Sequence, residues 1–296
     1  MIDVVQKRFL QHGIVFTIDR NLIPPGDDTS TLFICSGMQP HKERFRECDG
    51  GRLATLQSCL RTDDIDLVGD ASHLTYFEML GNFSFGNHDY ADSVDLWHSL
   101  VLDLALPITS VHVHPDRWDH ARLWMALGYD VVDDRDCIWS DGGIGGHCCE
   151  LYCGELEVGN LVNPDGGSTD VGFGFDRMMQ VIESRASVTG TSLFRTGIHP
   201  ILADHERAVL ALRENGIEPG NKGRSYVCRR ILRRMLRLVD GERFAFDDWL
   251  DAERRLQQRA LRQARRMWRD HSGETPEWWW GTMGLLPEEI ALISSE

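Results

Sequence analysis

The hydrophobic periodicity of the chain changes once, near residues 188–197, and this change restricts the folds available to it. Before that point the apolar residues form short runs separated by Gly and Pro, such as Thr31–Cys35 and Leu156–Val162, and such runs are typical of strands. After it the apolar residues recur at intervals of three and four, which indicates amphipathic helices. The helices predicted for this second part are His199–Asn215, Ser225–Val239 and Phe246–His271.

The pattern predicts an α+β fold with a largely antiparallel sheet over residues 1–190, followed by an all-α domain over residues 191–296. Two helices, Asp89–Leu106 and Asp119–Leu127, are expected to flank the sheet. The boundary is placed beside Ser187–Ser192, a polar segment with the composition of a connector.

The composition favours a globular protein that does not contact a membrane. Apolar residues make up 42% of the 296 residues and charged residues 26%, and no apolar run reaches the roughly 20 residues that cross a bilayer. The first ten residues include Asp3, Lys7 and Arg8 and lack an apolar core, so no signal peptide is expected. These features predict a cytoplasmic protein whose eight Cys are reduced thiols.

The charge is unevenly distributed along the chain. The net charge is −15, which argues against general nucleic-acid binding, but the stretch from Lys222 to Arg269 holds 15 Lys and Arg against 6 Asp and Glu. One basic helical segment on an acidic protein suits a local anionic partner. Two solvated arginine-rich helices explain the same charge pattern equally well.

The most specific sequence motif lies between Gln57 and Gly86. It consists of Gln57-Ser58-Cys59-Leu60-Arg61, a polar loop, and the run from His73 to Gly86 that contains Phe77-Glu78. This pattern predicts two strands joined by a loop, with an Arg on the first strand and a Phe-Glu pair on the second. Such a hairpin can hold an anionic group on the Arg and stack a ring on the Phe.

This hairpin resembles the second class-defining motif of the alanyl-tRNA synthetases, Q-x-C-x-R followed by H-x-T-x-F-E-M-L-G-N-F-S-F-G. Asp170–Arg177 resembles the third motif of that family, D-T-G-M-G-L-E-R. Weaker matches to the family occur in chain order at Ser36–Pro40, Lys42–Phe45, Trp139–Glu150, Glu157–Asn160 and Pro219–Asn221. The resemblance implies the class II synthetase fold, an antiparallel sheet flanked by helices, and the activation of alanine or another small amino acid with ATP and Mg²⁺.

The resemblance implies an ATP site built on two arginines that act as catalytic residues. Arg61 would hold the α-phosphate and the substrate carboxylate, and Arg177 the γ-phosphate and one face of the adenine. Phe77 would cover the other face, and Glu78 would be a ligand of Mg²⁺. Gly172 and Gly174 would leave room for ATP beside the backbone.

The family pattern also implies sites for the amino acid and for tRNA. Asp170 would pair with the substrate ammonium group, Asn160 would orient the amino acid, and Trp139 would form a wall of the side-chain pocket. The residues expected to contact a tRNA acceptor stem are Asn221, Arg224, Arg230, Arg233 and Arg234.

Two departures from the family pattern affect the substrate and the RNA. Gly159 replaces the Trp of the family's E-I-W-N segment, which could remodel the amino-acid pocket. Gly281 lies near the position of an Asp that reads the acceptor stem in the family. The matching region also has no counterpart of the family's editing domain, which favours a specialised paralogue.

Three functions therefore remain open from the sequence. The first is an alanine–tRNA ligase-like enzyme, the second an adenylate-forming ligase that loads a carrier protein or a small molecule, and the third a regulatory RNA-binding paralogue without activity. The segment His147–Cys153 holds His147, Cys148, Cys149 and Cys153 at irregular spacing, without a second Cys/His pair of structural-zinc spacing nearby. No metal site is predicted there, and the question of metal binding by this cluster stays open.

Overall fold

The structure, a computed structural model, describes residues 1–26, 28–164, 167–285 and 287–294. It divides into two compact units, Met1–Phe194 and Arg195–Glu296. The first unit contains the strands, and the second is helical in its described residues.

The first unit is built on a nine-stranded sheet with the order β1-β2-β3-β9-β8-β7-β4-β5, and β6 pairs with β7 beside this path. The pairs β1–β2 and β4–β5 are parallel, and the other pairs are antiparallel. The prediction of an α+β fold with a largely antiparallel sheet is confirmed. The strands are β1 Phe16–Asp19, β2 Arg52–Leu60, β3 Tyr76–Ser84, β4 Ser110–Val113, β5 Val131–Asp133, β6 Ile138–Asp141, β7 Ile144–Cys153, β8 Leu156–Val162 and β9 Thr169–Gly174.

Helices flank this sheet and bury one of its faces. In the core, Trp97 stacks on Phe173 of β9 with ring centroids 4.1 Å apart, and both side chains are fully buried. Apolar burial of this kind is the main force that holds helices on a sheet. The helices of this unit are α1 Ile2–Gln11, α2 Lys42–Glu47, α3 Tyr90–Asp103, α4 Trp118–Ala126 and α5 Phe175–Ile182.

Thr31–Cys35, which the sequence predicts as a strand, is irregular in the structure. Ile34 makes two strand-like backbone contacts: its N–H donates to Leu22 O, and its carbonyl accepts from Leu60 N–H, each at 2.9 Å. Two such bonds do not form a ladder, so the strand prediction is wrong here.

The second unit contains the three long helices that the sequence predicts and two shorter ones near its end. Their bounds are α6 Pro200–Glu214, α7 Gly223–Met235, α8 Asp247–His271, α9 Pro276–Met283 and α10 Pro287–Ser294. In the described residues no helix combines the length and the apolar character needed to cross a membrane.

Candidate active site

A cavity of about 330 Å³ opens over the sheet face opposite the helix-packed core. Glu150, Asn160 and Gly172 are cross-strand partners on β7, β8 and β9, so their side-chain positions point to the same face. Asp170 lies two residues before Gly172 on β9 and therefore shares that face. All four residues line the cavity.

The cavity brings together eight of the nine residues predicted for ATP and amino-acid binding. They come from the end of β2, from β3, from β6, from β8, and from the third-motif segment that joins β9 to α5. These residues are Arg61, Phe77, Trp139, Asn160, Asp170, Gly172, Gly174 and Arg177. Glu78 does not line the cavity.

Asp170 is a buried carboxylate without a cationic partner. Its exposed fraction is 6%, and among the described residues no Lys, Arg or His forms an ion pair with it. Burial, with a smaller contribution from the Asp141 carboxylate, raises the pKa of Asp170 to about 7. A carboxylate in this state gains stability from a ligand that carries a positive charge.

Arg61 covers one face of Phe77. Its guanidinium carbon lies 5.0 Å from the centroid of the Phe77 ring, and its Nε donates to Cys35 O at 2.9 Å. The rest of the guanidinium is exposed and can take an anion. An adenine ring on the same face of Phe77 would have to displace the guanidinium.

Arg177 lies in the first turn of α5, next to Gly174. Its Nη1 donates to the backbone oxygen of Glu157 at 3.0 Å and to Glu157 Oε2 at 3.1 Å. The three atoms nearest to a Cβ at Gly174 would all belong to the Arg177 side chain, at 3.4–3.5 Å. Neither a core side chain nor the backbone supplies these nearest atoms, so the space beside Gly174 can accommodate a ligand.

Glu78, the predicted ligand of the ATP-bound metal, lies outside the cavity lining. Glu78 is 7% exposed, its Oε1 lies 3.4 Å from Arg20 Nη1, and its N–H donates to Asp176 Oδ2 at 2.8 Å. This carboxylate lies behind the cavity wall because strand β3 turns it away from the side that carries Phe77.

Lys42 and Asp141 form a buried ionic contact next to the cavity that the sequence did not predict. Lys42 Nζ lies 2.7 Å from Asp141 Oδ1 and 2.9 Å from Asp28 Oδ2, and the Lys42 side chain is 7% exposed. Since Asp141 raises the pKa of Asp170, this contact influences the electrostatics of the cavity. The signal was present in the sequence, because both residues lie in segments that resemble the family.

The residues predicted to contact tRNA are distributed along and just before α7, and they differ in exposure. Asn221 is exposed and accepts a hydrogen bond from Arg229. Arg224 and Arg230 are partly exposed, and Arg234 donates through Nε to His205 Nε2 at 3.2 Å.

Arg233 does not fit the predicted RNA contact. Its side chain is 3% exposed, Nε lies 3.3 Å from Glu253 Oε2, and Nη1 lies 3.1 Å from Glu289 Oε2. Its charge is neutralised by these two carboxylates inside the helical unit, so the structure places it away from the surface where RNA would bind. Burial by carboxylates of α8 and α10 is a non-local effect that the spacing on α7 does not reveal.

Sequence comparison assigns the chain to a family. The family model described as "tRNA synthetases class II (A)" matches residues 8–150 and 168–249. The chain belongs to this family. The matched ranges of the chain include the hairpin with Arg61, the third-motif segment and α7.

Curated relatives of this chain are alanine–tRNA ligases. The protein from Desulfitobacterium hafniense (strain Y51) is 33% identical over 301 residues, which cover 79% of this chain and 34% of that protein. The protein from Endomicrobium trichonymphae is 32% identical over 293 residues, which cover 77% of this chain and 33% of that protein. The chain thus spans about a third of the length of these relatives.

A solved structure, the pyrrolysyl-tRNA synthetase of Desulfitobacterium hafniense, is similar at 16% identity and a TM-score of 0.35 over 64% of this chain and 71% of that one. This TM-score is too low to add to the family assignment. The expected class II architecture, a sheet flanked by helices and followed by a helical part, is confirmed for this chain.

The sequence analysis did not predict a line of arginines that the structure shows on α8. Its members are exposed, recur at intervals of four and three, and form no ion pair with any described residue; they are Arg255, Arg259, Arg262, Arg266 and Arg269. At 1.5 Å per residue, this arginine stripe extends about 21 Å along one helix face. The spacing alone could have revealed it.

Proposed function

We propose that this chain activates a small amino acid, with alanine as the first candidate, as an aminoacyl-adenylate and transfers it to the end of a tRNA. The observation that carries the proposal is Asp170, a buried carboxylate without a cation in the same cavity as Arg61 and Arg177. One cavity thus offers a site for an ammonium group together with two guanidiniums for phosphates. Free amino acids and ATP carry those charges.

The reaction needs positioning and charge stabilisation more than a protein nucleophile. Asp170 would bind the ammonium group, and the Asn160 amide on the neighbouring strand would orient the substrate. A carboxylate oxygen of the amino acid would then attack the α-phosphorus, and the bond to pyrophosphate would break. Arg61 would stabilise the negative charge that develops at the phosphorus.

Trp139 would close the side-chain end of the amino-acid site. It lines the cavity and packs against two apolar clusters, one that contains Phe83 and Phe85 and one that contains Cys137 and Cys148. A rigid aromatic wall of this kind limits the size of the side chain that can enter. It discriminates by about 1–3 kcal/mol per methylene group.

Mg²⁺ fits the cavity through carboxylates other than Glu78. Glu157 and Asp176 line the cavity beside Arg177, and carboxylate oxygens are the ligands that Mg²⁺ prefers. These two residues would hold the ion, which would neutralise phosphate charge when ATP is bound.

The proposed acceptor is tRNA because the helical unit offers positive charge for phosphates. Arg224 and Arg230 of α7 are partly exposed, and the arginine stripe of α8 is exposed. The family assignment supports the same acceptor, and the comparisons give no support to a carrier protein. Arginine is well suited to phosphate contacts because its charge is permanent and its donors are planar.

The test is ATP–pyrophosphate exchange with the purified chain and alanine, glycine or serine, followed by transfer to tRNA. Exchange with alanine is expected, and Arg61→Ala should reduce its rate by about 100-fold or more, as loss of a transition-state donor does. Arg52→Ala is the matched control, since Arg52 is an exposed arginine at the other end of β2.

Exchange that persists at the wild-type rate in Arg61→Ala would show that the cavity does not catalyse the exchange and has another role. A chain that binds no ATP and supports exchange with none of these amino acids would overturn the proposal. Exchange without transfer to tRNA would overturn only the assignment of tRNA as the acceptor.

A further inference from the structure

Two buried thiols and a carboxylate converge at the wall of the cavity. The Sγ atoms of Cys137 and Cys148 and a carboxylate oxygen of Glu150 all lie within 4.8 Å of one another. Cys148 and Glu150 are two residues apart on β7 and therefore point to the same face. Cys137 is brought to them by the start of β6, where Cys148 N–H donates to Cys137 O at 3.0 Å.

The surroundings of these three groups are apolar on one side and open on the other. Cys137 and Cys148 are 0% and 1% exposed and pack with Val162 and Trp139. Glu150 is half-buried and lines the cavity. Tyr152 donates a hydrogen bond to it at 2.9 Å, but no Lys or Arg among the described residues forms an ion pair with it.

We propose that Cys137, Cys148 and Glu150 bind one Zn²⁺ at the cavity wall. Two thiolates and a carboxylate form a ligand set that favours zinc over magnesium or calcium. Tetrahedral zinc with bonds of about 2.3 Å to sulfur and about 2.1 Å to oxygen places its ligand atoms roughly 3.6–3.8 Å apart. The three ligand atoms already lie within 4.8 Å of one another, so small side-chain movements would bring them to that geometry.

The three ligands leave one tetrahedral position, as in zinc sites that bind water or substrate rather than only stabilise a fold. Glu150 is the ligand that faces the cavity, so that position is available to water or to a donor atom of the cavity's occupant. The ion would also fix the β6–β7 hairpin that carries Trp139. This site is separate from the one assigned to Mg²⁺.

Neighbouring groups do not offer an equivalent site. Cys149 points to the core, where its Sγ accepts from Trp124 Nε1 at 3.2 Å. A second convergence of possible ligands, His114, Asp116 and His147, contains no thiol. In that group Asp116 is exposed, and its N–H donates to His114 Nδ1.

The experiment measures metal directly, in the absence of ATP and amino acid. The full chain, stripped with a chelator and reloaded with zinc, should bind one equivalent that mass spectrometry detects. Loading with Co²⁺ should produce the intense thiolate-to-cobalt absorption of a two-sulfur site. Cys137→Ala and Cys148→Ala should lose this absorption, and Glu150→Gln should weaken zinc binding by at least tenfold.

Cys149→Ala is the matched control, because it removes an equally buried thiol from the adjacent position and should leave the cobalt spectrum unchanged. If circular dichroism shows that the cysteine variants do not fold, the zinc affinity of Glu150→Gln alone tests the proposal. Absence of bound zinc, cobalt absorption without thiolate character, or spectra unchanged in the three ligand variants would overturn the proposal. None of these readouts depends on the proposed activity, so the two can fail separately.

Discussion

Gly159 and Phe173 are cross-strand partners on β8 and β9, and a Cβ at position 159 would approach the Phe173 ring to 2.3 Å. The ring fills the space above the glycine on the core side of the sheet, where it stacks on Trp97. Asn160, the next residue, points to the cavity. The replacement of Trp by Gly159 thus coincides with a larger residue in the core, Phe173, at the position where the family pattern has Met. Gly159 also lines the cavity, so the remodelling of the amino-acid pocket by this replacement stays a prediction.

The first prediction concerns this pair. The family pattern has Trp and Met where this chain has Gly159 and Phe173. Gly159→Trp alone should strongly destabilise the fold, because the new side chain collides with a fully buried ring. Phe173→Met should cost about 1–2 kcal/mol. The double variant should be more stable than Gly159→Trp alone, with a coupling of roughly 0.5–3 kcal/mol, measured by urea unfolding. If the effects of the two substitutions on the free energy of unfolding simply added, the idea that Phe173 compensates for Gly159 would be contradicted.

The second prediction is a pH dependence set by Asp170. Because an ammonium ligand requires the ionised carboxylate and the pKa of Asp170 is about 7, alanine affinity should rise as the pH increases through about 7 and then level off. Calorimetric titration between about pH 5.5 and 8.5 measures this dependence. Asp170→Asn should abolish it together with most of the affinity.

A companion variant tests the cause of the raised pKa. Asp141→Asn removes the charge that adds to the effect of burial on Asp170, and the amide can still accept the hydrogen bond of Lys42. The midpoint of alanine binding should move below that of the wild type. Asp95→Asn, an exposed carboxylate on α3, is the control and should leave the midpoint in place. An unchanged midpoint in Asp141→Asn would exclude an electrostatic influence of Asp141 on the pKa of Asp170.

The third prediction is the effect of the same carboxylate on stability. The pKa of Asp170 is raised in the folded chain from an ordinary value of 3.8, so the native state keeps a proton that the unfolded state releases between about pH 4 and 7. The stabilisation is complete below that window and is lost as the pH rises through about 7. Asp170→Asn should therefore gain stability relative to the wild type at pH 8 and not at pH 4, in thermal unfolding.

Local signals explain which parts of the fold were predictable. The helix expected over Asp89–Leu106 begins at Tyr90 because the Asp89 side chain accepts a hydrogen bond from Ala91 N–H, a cap that is readable from the sequence. It ends at Asp103, before Ala105 adopts a left-handed φ of 52°. That end depends on how the chain packs afterwards, and no glycine marks it.

The candidate site was predictable where a motif is contiguous and unpredictable where it depends on partners distant in sequence. Asp170 and Arg177 lie in one segment and reach one cavity. Glu78 also lies in a motif, yet the pairing of β3 turns it toward Arg20, 58 residues away in the sequence. Cys137 lies outside the cluster that the sequence singled out, and only the β6–β7 pairing brings it to Cys148.

The fourth prediction separates the buried arginine of α7 from its exposed neighbour. Arg233 pairs with Glu253 and Glu289, both nearly inaccessible, and Arg229 also pairs with Glu253. Arg233→Ala removes a buried cation from this network and should cost about 3–5 kcal/mol in urea unfolding. Arg230→Ala, the control on the same helix, should change stability by about 0.5 kcal/mol or less. Equal effects of the two substitutions would contradict the buried ion network.

The fifth prediction tests the arginine stripe of α8 as a contact for RNA phosphates. Each phosphate contact releases counterions, so the logarithm of the binding constant falls with the logarithm of the salt concentration in proportion to the number of contacts. The variant Arg259→Gln, Arg262→Gln, Arg266→Gln should bind a tRNA more weakly, with a salt slope reduced by roughly 2–3. Anisotropy titrations at several salt concentrations measure both quantities.

The matched control removes the same charge from the surface of the first unit. Arg52, Arg122 and Arg135 are exposed, and their joint replacement by Gln gives a chain of the same net charge as the stripe variant. If net charge alone governed binding, the two variants would lose the same affinity and the same slope. If the stripe contacts phosphates, the salt slope should fall in the α8 variant and stay unchanged in the control. The reason is that only groups in contact with the RNA displace its counterions.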